Sequence, residues 1–263
     1  MRYYRTTGLM LSQMQELVRR VCEALAEPWN KGTGRPKSCG LYGAVEIACM
    51  YLRQNGSQEF LGDLRGVSQS TISRIIARLV PVVKSILEEF VPDAKDAIEM
   101  VKGRVVLVDG TITPCWSYEG HPELWSRKKG ITGFNAQLVS LLEGVAVFIS
   151  DPFPGKTHDA KAYEDSGIAK IVEASGGGFG DKGYQGTNLV TPKKKLKGGE
   201  LLNWQKEFNA QVSSYRAAIE RLVAHFKGWR IFHTDYRRPY RTYRDAFDAA
   251  RGLFFFSITW GFE

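Results

Sequence analysis

The segment Arg104–Val108, followed at once by Asp109, restricts the fold of this chain more than any other stretch. The run is rich in β-branched residues and ends in four consecutive apolar positions, a pattern typical of a strand that is covered on both faces. A carboxylate at the end of such a strand is costly to remove from water, so it needs a partner or a metal ion. The sequence therefore predicts a buried sheet with an acidic functional group at one strand end.

Further strands follow this one along the chain. Residues 135–142 and 145–149 are apolar runs on either side of Glu143-Gly144, and they predict a β-hairpin. A glycine-rich run then leads into a short strand that ends at Asp181. In α/β sheets, strand ends collect active-site groups, so Asp109 and Asp181 are expected to lie at one site.

Helices are predicted between and after these strands. One helix is expected to start near Asp159, whose carboxylate is suited to capping it. A long helix is predicted over about 202–227, and the apolar run Leu253–Trp260 predicts a final core element. Strands and helices in this order indicate a mixed α/β domain over residues 100–263, with helices packed over the sheet.

The first 92 residues have a different, helical pattern and predict a separate all-α domain. Within it, residues 58–79 match a helix-turn-helix, with Gly66 at the turn and Ile72 on the buried side of the second helix. An ordinary helical hairpin is the alternative. If the motif binds DNA, the start of its second helix supplies the polar side chains for phosphates and base edges, namely Gln69, Ser70, Thr71, Ser73 and Arg74.

A third acidic residue, Glu220, lies in the long helix beside Ile219, at the edge of its apolar stripe. We expect its carboxylate to reach inward toward the sheet, although an exposed Glu220 paired with Arg216 is the simpler alternative. Three carboxylates without a histidine or cysteine cluster favour Mg²⁺ or Mn²⁺ over zinc. Asp109, Asp181 and Glu220 are therefore predicted as catalytic ligands of two such ions, with Asp109 bridging them.

The charge balance indicates a polyanionic partner. Lys and Arg number 36 against 28 Asp and Glu, for a net charge of +8, which favours nucleic acid, although a generally basic surface is the alternative. Trp125 and Tyr184 are candidates to stack on a displaced base, or are simple packing groups. The candidate phosphate contacts are Arg127, Lys128, Lys129, Lys193, Lys194 and Lys195.

Four short motifs occur in an order that resembles a known family. They are Val-Asp-Gly-Thr at 108–111, Pro-Gly-Lys-Thr-His-Asp at 154–159, Gly-Asp-Lys-Gly-Tyr at 180–184 and Arg-Ala-Ala-Ile-Glu-Arg at 216–221. Over about residues 40–235 the chain is similar to the DDE transposases of bacterial insertion sequences, in the branch shared with Harbinger-type nucleases. The resemblance implies an RNase H-like catalytic domain, two Mg²⁺ ions, and DNA cleavage with strand transfer at the element's ends. It also implies that Asp109, Asp181 and Glu220 are the catalytic triad.

His158 and Asp159 also match a motif of that family, and the role of this pair stays open. Asp159 is a helix cap, a group that orients the metal ligands from behind, or a ligand itself; the first two roles are favoured. His158 is expected to support the metal ligands in the same indirect way.

The expected partners are double-stranded DNA, both terminal inverted repeats and target DNA, and further copies of the chain assembled on it. No membrane partner is expected. Four cysteines without paired spacing indicate a reducing cytoplasmic location. With DNA as its partner, the protein is expected at the nucleoid. Two other functions compete with transposition. One is a DNA-binding regulator that has lost catalysis, and the other is a host nuclease that cuts without joining strands.

Overall fold

The chain separates into two structural units in a computed structural model that describes residues 3–30, 37–195 and 198–260. One unit comprises Met1–Val91 together with Lys227–Glu263, and the other comprises Pro92–Phe226. The sequence assigned everything after residue 100 to one catalytic domain, and the structure corrects this, because the C-terminal segment packs with the N-terminal helices. None of the helices in the described ranges is long and apolar enough to cross a bilayer.

The first unit is entirely helical. A central helix is buried along most of its length, from Ala44 to Leu52, because its residues are apolar on nearly every side. The C-terminal helix joins the same core, where the Gln13 amide donates to the Ser257 carbonyl over 3.1 Å. The helices of this unit are α1 (Tyr3–Thr7), α2 (Leu11–Ala24), α3 (Leu41–Gln54), α4 (Gln58–Arg65), α5 (Gln69–Ile86) and α10 (Tyr243–Thr259).

Helices α4 and α5 form the predicted helix-turn-helix. Gly66 ends α4 in the left-handed region with φ of 63°, and Ser68 caps α5 by accepting a hydrogen bond from the Thr71 amide. Ile72 is fully buried as expected, and Leu61 of α4 is fully buried as well. The five candidate DNA contacts lie in the first two turns of α5, where Gln69, Ser70 and Arg74 are exposed and Thr71 and Ser73 are half-buried.

The second unit is a mixed sheet with helices, as predicted. Its helices are α6 (Ala94–Val101), α7 (Asp159–Asp165), α8 (Ile168–Ala174) and α9 (Asn203–Lys227). Its strands are β1 (Val106–Pro114), β2 (Trp125–Ser126), β3 (Ile131–Leu141), β4 (Ala146–Ile149), β5 (Phe153–Pro154) and β6 (Gly178–Phe179).

Strand β1 lies at the centre of this sheet. It pairs with β3 in antiparallel and with β6 in parallel orientation, and β2, β4 and β5 also pair with β3. The predicted hairpin of β3 and β4 is confirmed. Strand β1 continues to Pro114, so Asp109 lies inside the strand and not at its end. The alternation of Thr111, Ile112 and Thr113 explains the extension, because β-branched residues suit a pleated strand.

Helices α6, α7 and α8 share one apolar core with strands of the sheet. Val106 and Val108 of β1 and Val139 of β3 lie in this core. Helix α9 buries a separate stripe that includes Ile219 and Leu222. The packing of these helices against β1 and β3 fixes the strand that carries Asp109.

Candidate active site

Asp109 and Asp181 are brought together by the pairing of β1 with β6. These strands are parallel, with Leu107 opposite Phe179, and each aspartate lies two residues beyond that pair. Side chains two residues apart on a strand point to the same face, and neighbouring strands lie about 4.8 Å apart. The two carboxylates are therefore neighbours on one face of the sheet, and the charge of Asp181 acts on Asp109.

Asp109 is mostly buried and has few groups that stabilise its charge. The Gly110 amide donates to its Oδ1 over 2.9 Å, and the Arg216 Nη2 lies 3.4 Å from its Oδ2. Burial raises the pKa of Asp109 to about 6; Arg216 opposes this rise, while the charges of Asp181 and Asp159 add to it. Its carboxylate therefore belongs to a cluster of interacting acidic groups.

Asp159 is the third member of that cluster, and it does not cap its helix. The N-cap residue of α7 is His158, whose side chain makes no capping hydrogen bond, and Asp159 is the first helical residue. Its Oδ1 accepts a hydrogen bond from the Asn135 amide over 3.1 Å. A Cβ atom on Gly110 would lie 2.7 Å from the same Oδ1, so Asp159 reaches the β1 backbone beside Asp109. The capping role is wrong because the carboxylate points to the sheet.

A chain of buried amides and a tyrosine holds Asp159 in this position. The Tyr184 hydroxyl donates to the Gln137 side chain, whose amide donates to Asn135 Oδ1 over 2.9 Å. Asn135 in turn donates to Asp159. Tyr184 is fully buried, so it serves this hydrogen-bond chain and is not available to stack on a displaced base.

Lys128 neutralises part of the acidic cluster, which we define as Asp109, Asp159 and Asp181. Its Nζ lies 2.6 Å from Asp159 Oδ2 and 3.6 Å from Asp181 Oδ2. Partial burial lowers the pKa of Lys128, but its hydrogen bond to Asp159 and the charges of both aspartates outweigh this effect and raise the pKa overall. The lysine is therefore held in its charged form.

Glu220 lies beside the acidic cluster but does not reach into it. Its side chain is 60% exposed, and the Arg216 Nη2 lies 4.0 Å from its Oε1. One guanidinium nitrogen thus lies within 4.0 Å of both Glu220 and Asp109. The predicted inward orientation of Glu220 is wrong for this structure, because Arg216 occupies the place between the helix and the sheet.

The donor set suits a hard divalent cation, because all its candidate ligands are carboxylate oxygens. Across residues 3–30, 37–195 and 198–260, no three acidic, histidine or cysteine side chains form a group that could hold a metal ion as they stand. The reason is visible in the geometry: Lys128 contacts two of the carboxylates, Arg216 contacts a third, and Glu220 faces outward. The residues thus fit a hard cation in the chemistry of their oxygens, while their side chains are engaged with Lys128 and Arg216.

Sequence comparisons identify the family. A family model described as "DDE superfamily endonuclease" matches residues 108–254, more than half of the chain. A second model, described as "Helix-turn-helix of DDE superfamily endonuclease", matches residues 48–89. The protein belongs to the DDE superfamily endonucleases. This family implies the use of divalent metal ions, and the mixed sheet flanked by helices agrees with its RNase H-like catalytic domain.

Two relatives support this membership. A candidate transposase for insertion sequence element IS112 of Streptomyces albus G is 32% identical over 227 residues, covering 86% of this chain and 83% of the relative. A candidate transposase for insertion sequence element IS702 of Microchaete diplosiphon is 24% identical over 226 residues, covering 82% and 80%. The similarity therefore extends over both units of the endonuclease.

A cavity of about 360 Å³ opens beside the acidic cluster of the endonuclease. Trp125 is 49% exposed there, so it remains a candidate for stacking on a base. His158 lines the cavity together with Asp159. The three basic residues predicted as phosphate contacts in this region also line it: Arg127, Lys128 and Lys129.

The other predicted phosphate contacts do not line this cavity. Lys193, Lys194 and Lys195 are exposed on the loop before α9. The Lys193 amide donates to Asn209 over 2.7 Å, which ties the start of this loop to the helix. The loop is thus partly fixed and presents its charges to solvent.

Sequence reasoning missed Asn135 and Gln137 as site residues and considered Arg216 only as a surface partner of Glu220. A signal was present for the two amides. They are two residues apart in the buried part of β3, so they share a face, and buried amides need partners. No comparable local pattern marks Arg216.

Proposed function

We propose that this DDE endonuclease is a DNA transposase that cuts DNA at the ends of its own mobile element and joins them to target DNA. The observation that carries this proposal is the proximity of three carboxylates, Asp109 inside β1, Asp181 just beyond β6 and Asp159 at the start of α7. The Arg216 guanidinium lies between Asp109 and Glu220. The two relatives described as candidate transposases, and the helix-turn-helix of α4 and α5, support it.

Asp109, Asp181 and Glu220 would hold two Mg²⁺ or Mn²⁺ ions. Bound divalent ions activate a water or a 3′-hydroxyl and stabilise the leaving oxygen of a phosphodiester. Asn135 fixes the Asp159 carboxylate beside this site, so Asp159 either orients the ligands or joins them. His158 supports the site from the cavity wall.

The remaining predicted residues would bind the DNA. The first two turns of α5, with Gln69, Ser70, Thr71, Ser73 and Arg74, would contact the element's terminal inverted repeats. Phosphate contacts would come from Arg127, Lys128, Lys129, Lys193, Lys194 and Lys195. In this proposal the protein acts on chromosomal DNA in the cytoplasm, at the nucleoid, as several copies assembled on two element ends.

The test is cleavage and joining of DNA that carries the element's terminal repeats, with Mg²⁺ present. Asp109→Ala, Asp181→Ala and Glu220→Ala should each lower the cleavage rate by about 100-fold or more, because metal coordination supplies several kcal/mol of transition-state stabilisation. Asp165→Ala is the matched control, since Asp165 pairs with Lys161 on the outer side of α7 and should have little effect. Undiminished cleavage by Asp109→Ala would rule the proposal out.

The products of the same reaction separate the competing functions. A transposase yields joined DNA as well as cut ends. A host nuclease yields cut ends alone, and a regulator yields salt-dependent binding without any cleavage.

A further inference from the structure

Lys128 contacts carboxylate oxygens of two members of the acidic cluster. It lies in the tight turn between β2 and β3, which is closed by a hydrogen bond of 2.8 Å from the Gly130 amide to the Ser126 carbonyl. From this turn its Nζ reaches Asp159 Oδ2 at 2.6 Å and Asp181 Oδ2 at 3.6 Å. One ammonium group therefore joins two members of the acidic cluster.

The other oxygens of these two aspartates are already engaged by the protein. Asp181 Oδ1 accepts a hydrogen bond of 2.6 Å from the Gly183 amide, and Asp159 Oδ1 accepts one from Asn135. The oxygens that Lys128 contacts are thus the ones left for an incoming cation.

The surroundings of Gly183 show how closely these groups are packed. A Cβ atom there would lie 2.8 Å from Asp159 Oδ2, 2.8 Å from Asp181 Oδ1 and 3.3 Å from Lys128 Nζ. Every side chain larger than hydrogen would therefore collide with the ion-paired arrangement. The backbone at this position accommodates the contact between the lysine and the two aspartates.

We propose that Lys128 is the resident counter-ion of the acidic cluster in the DNA-free protein, and that it must leave Asp159 and Asp181 before a divalent cation can bind. Like charges repel strongly at these distances, so the ammonium group and the cation exclude each other. This inference rests on the proposed metal-dependent function and adds a control step to it.

DNA offers Lys128 an alternative partner. Its side chain is 55% exposed and lines the cavity between Arg127 and Lys129, so a backbone phosphate in that cavity could take the ammonium group from the aspartates. Metal binding and DNA binding would then strengthen each other, and this coupling is reciprocal by thermodynamic necessity. The free protein would hold its metal weakly until DNA is in place.

The experiment measures Mn²⁺ binding by isothermal titration calorimetry, with and without a short DNA duplex at low salt. Lys128→Met should bind Mn²⁺ about 10-fold more tightly than the unaltered protein when DNA is absent, and DNA should improve its affinity less. Lys161→Met removes the lysine of an exposed Asp–Lys pair on α7, Lys161 and Asp165, of similar length, 2.8 Å, and should behave as the unaltered protein does. Lys128→Arg keeps the charge and should keep weak binding.

Each outcome decides a different point. If the unaltered protein binds Mn²⁺ and Lys128→Met binds it equally or more weakly, Lys128 is not a competing counter-ion, while the proposed function stands. If neither protein binds Mn²⁺ with or without DNA, both the proposed metal site and this inference fall. Lys128→Gln provides a second neutral variant for the same measurement if the methionine variant is poorly folded.

Discussion

Asp109 shows how burial of a single carboxylate makes stability depend on pH. Burial and two neighbouring carboxylates raise its pKa to about 6, above the value of about 3.9 expected in the unfolded chain. The folded protein therefore binds this proton more tightly than the unfolded chain does. The resulting contribution to stability is fully present below about pH 4 and is lost as the pH rises through about 6.

Asp109→Asn should consequently stabilise the protein at about pH 8, by about 1–3 kcal/mol, because it removes a charge that is costly to bury. The gain should shrink at about pH 5, where much of the native carboxyl group is already protonated. Urea unfolding at both pH values measures this difference. Asp165→Asn is the control, since its exposed carboxylate should give no such gain; a loss of stability in Asp109→Asn at the higher pH would contradict the assignment.

The sequence was sufficient to place Asp109 and Asp181 together but not to orient Asp159 and Glu220. The first pair follows from strand pattern, because parallel neighbouring strands bring equivalent positions to one face. The direction of Asp159 depends on Asn135, which is 24 residues away, and that of Glu220 on where Arg216 inserts. Such distant partners leave no local signature in the sequence.

At the scale of elements, β3 does more than pair with its neighbours. It carries Asn135 and Gln137 on the face that supports Asp159, while its other residues build the core. The sequence predicted this strand and its hairpin from apolar content. It missed the strand's polar role, because Asn135 and Gln137 were not read as partners of a distant carboxylate, and Asp159 follows Asn135 by 24 residues.

Asn135→Ala should weaken Mn²⁺ binding about 10-fold while leaving the fold intact, because residues that orient ligands typically contribute 10- to 100-fold to metal affinity. Calorimetric titration with Mn²⁺ in the presence of DNA tests this expectation. Ser140→Ala, on the same strand, is a matched control: Ser140 is buried and its hydroxyl has no partner among the described residues. Equal Mn²⁺ affinity in both variants would show that Asn135 does not position the site.

At the scale of the whole molecule, the helical unit is built from both ends of the chain, and the α/β unit is built from its middle. The chain begins in the helical unit, builds the α/β unit from Pro92 to Phe226, and returns to the helical unit with α10. The sequence predicted a core element at Leu253–Trp260 but assigned it to the catalytic domain. An apolar run shows that a helix is buried, yet it does not show which core buries it.

Substitution of Phe256 tests whether α10 stabilises the core of the helical unit or that of the α/β unit. It is fully buried and packs edge-on against Phe90, with ring centroids 5.0 Å apart. Phe256→Ala should cost about 3–5 kcal/mol, because it leaves a cavity in the helical core. Hydrogen exchange should then accelerate in α3 and α5, the helices of that core, whereas the exposed control Thr259→Ala should change it little.

Acceleration confined to β3 would instead place α10 in the catalytic domain, as contiguity in sequence had suggested. The helix-turn-helix would in that case owe its stability to residues 3–91 alone, whereas the observed packing of α10 against α5 makes its stability depend on the last helix of the described chain as well.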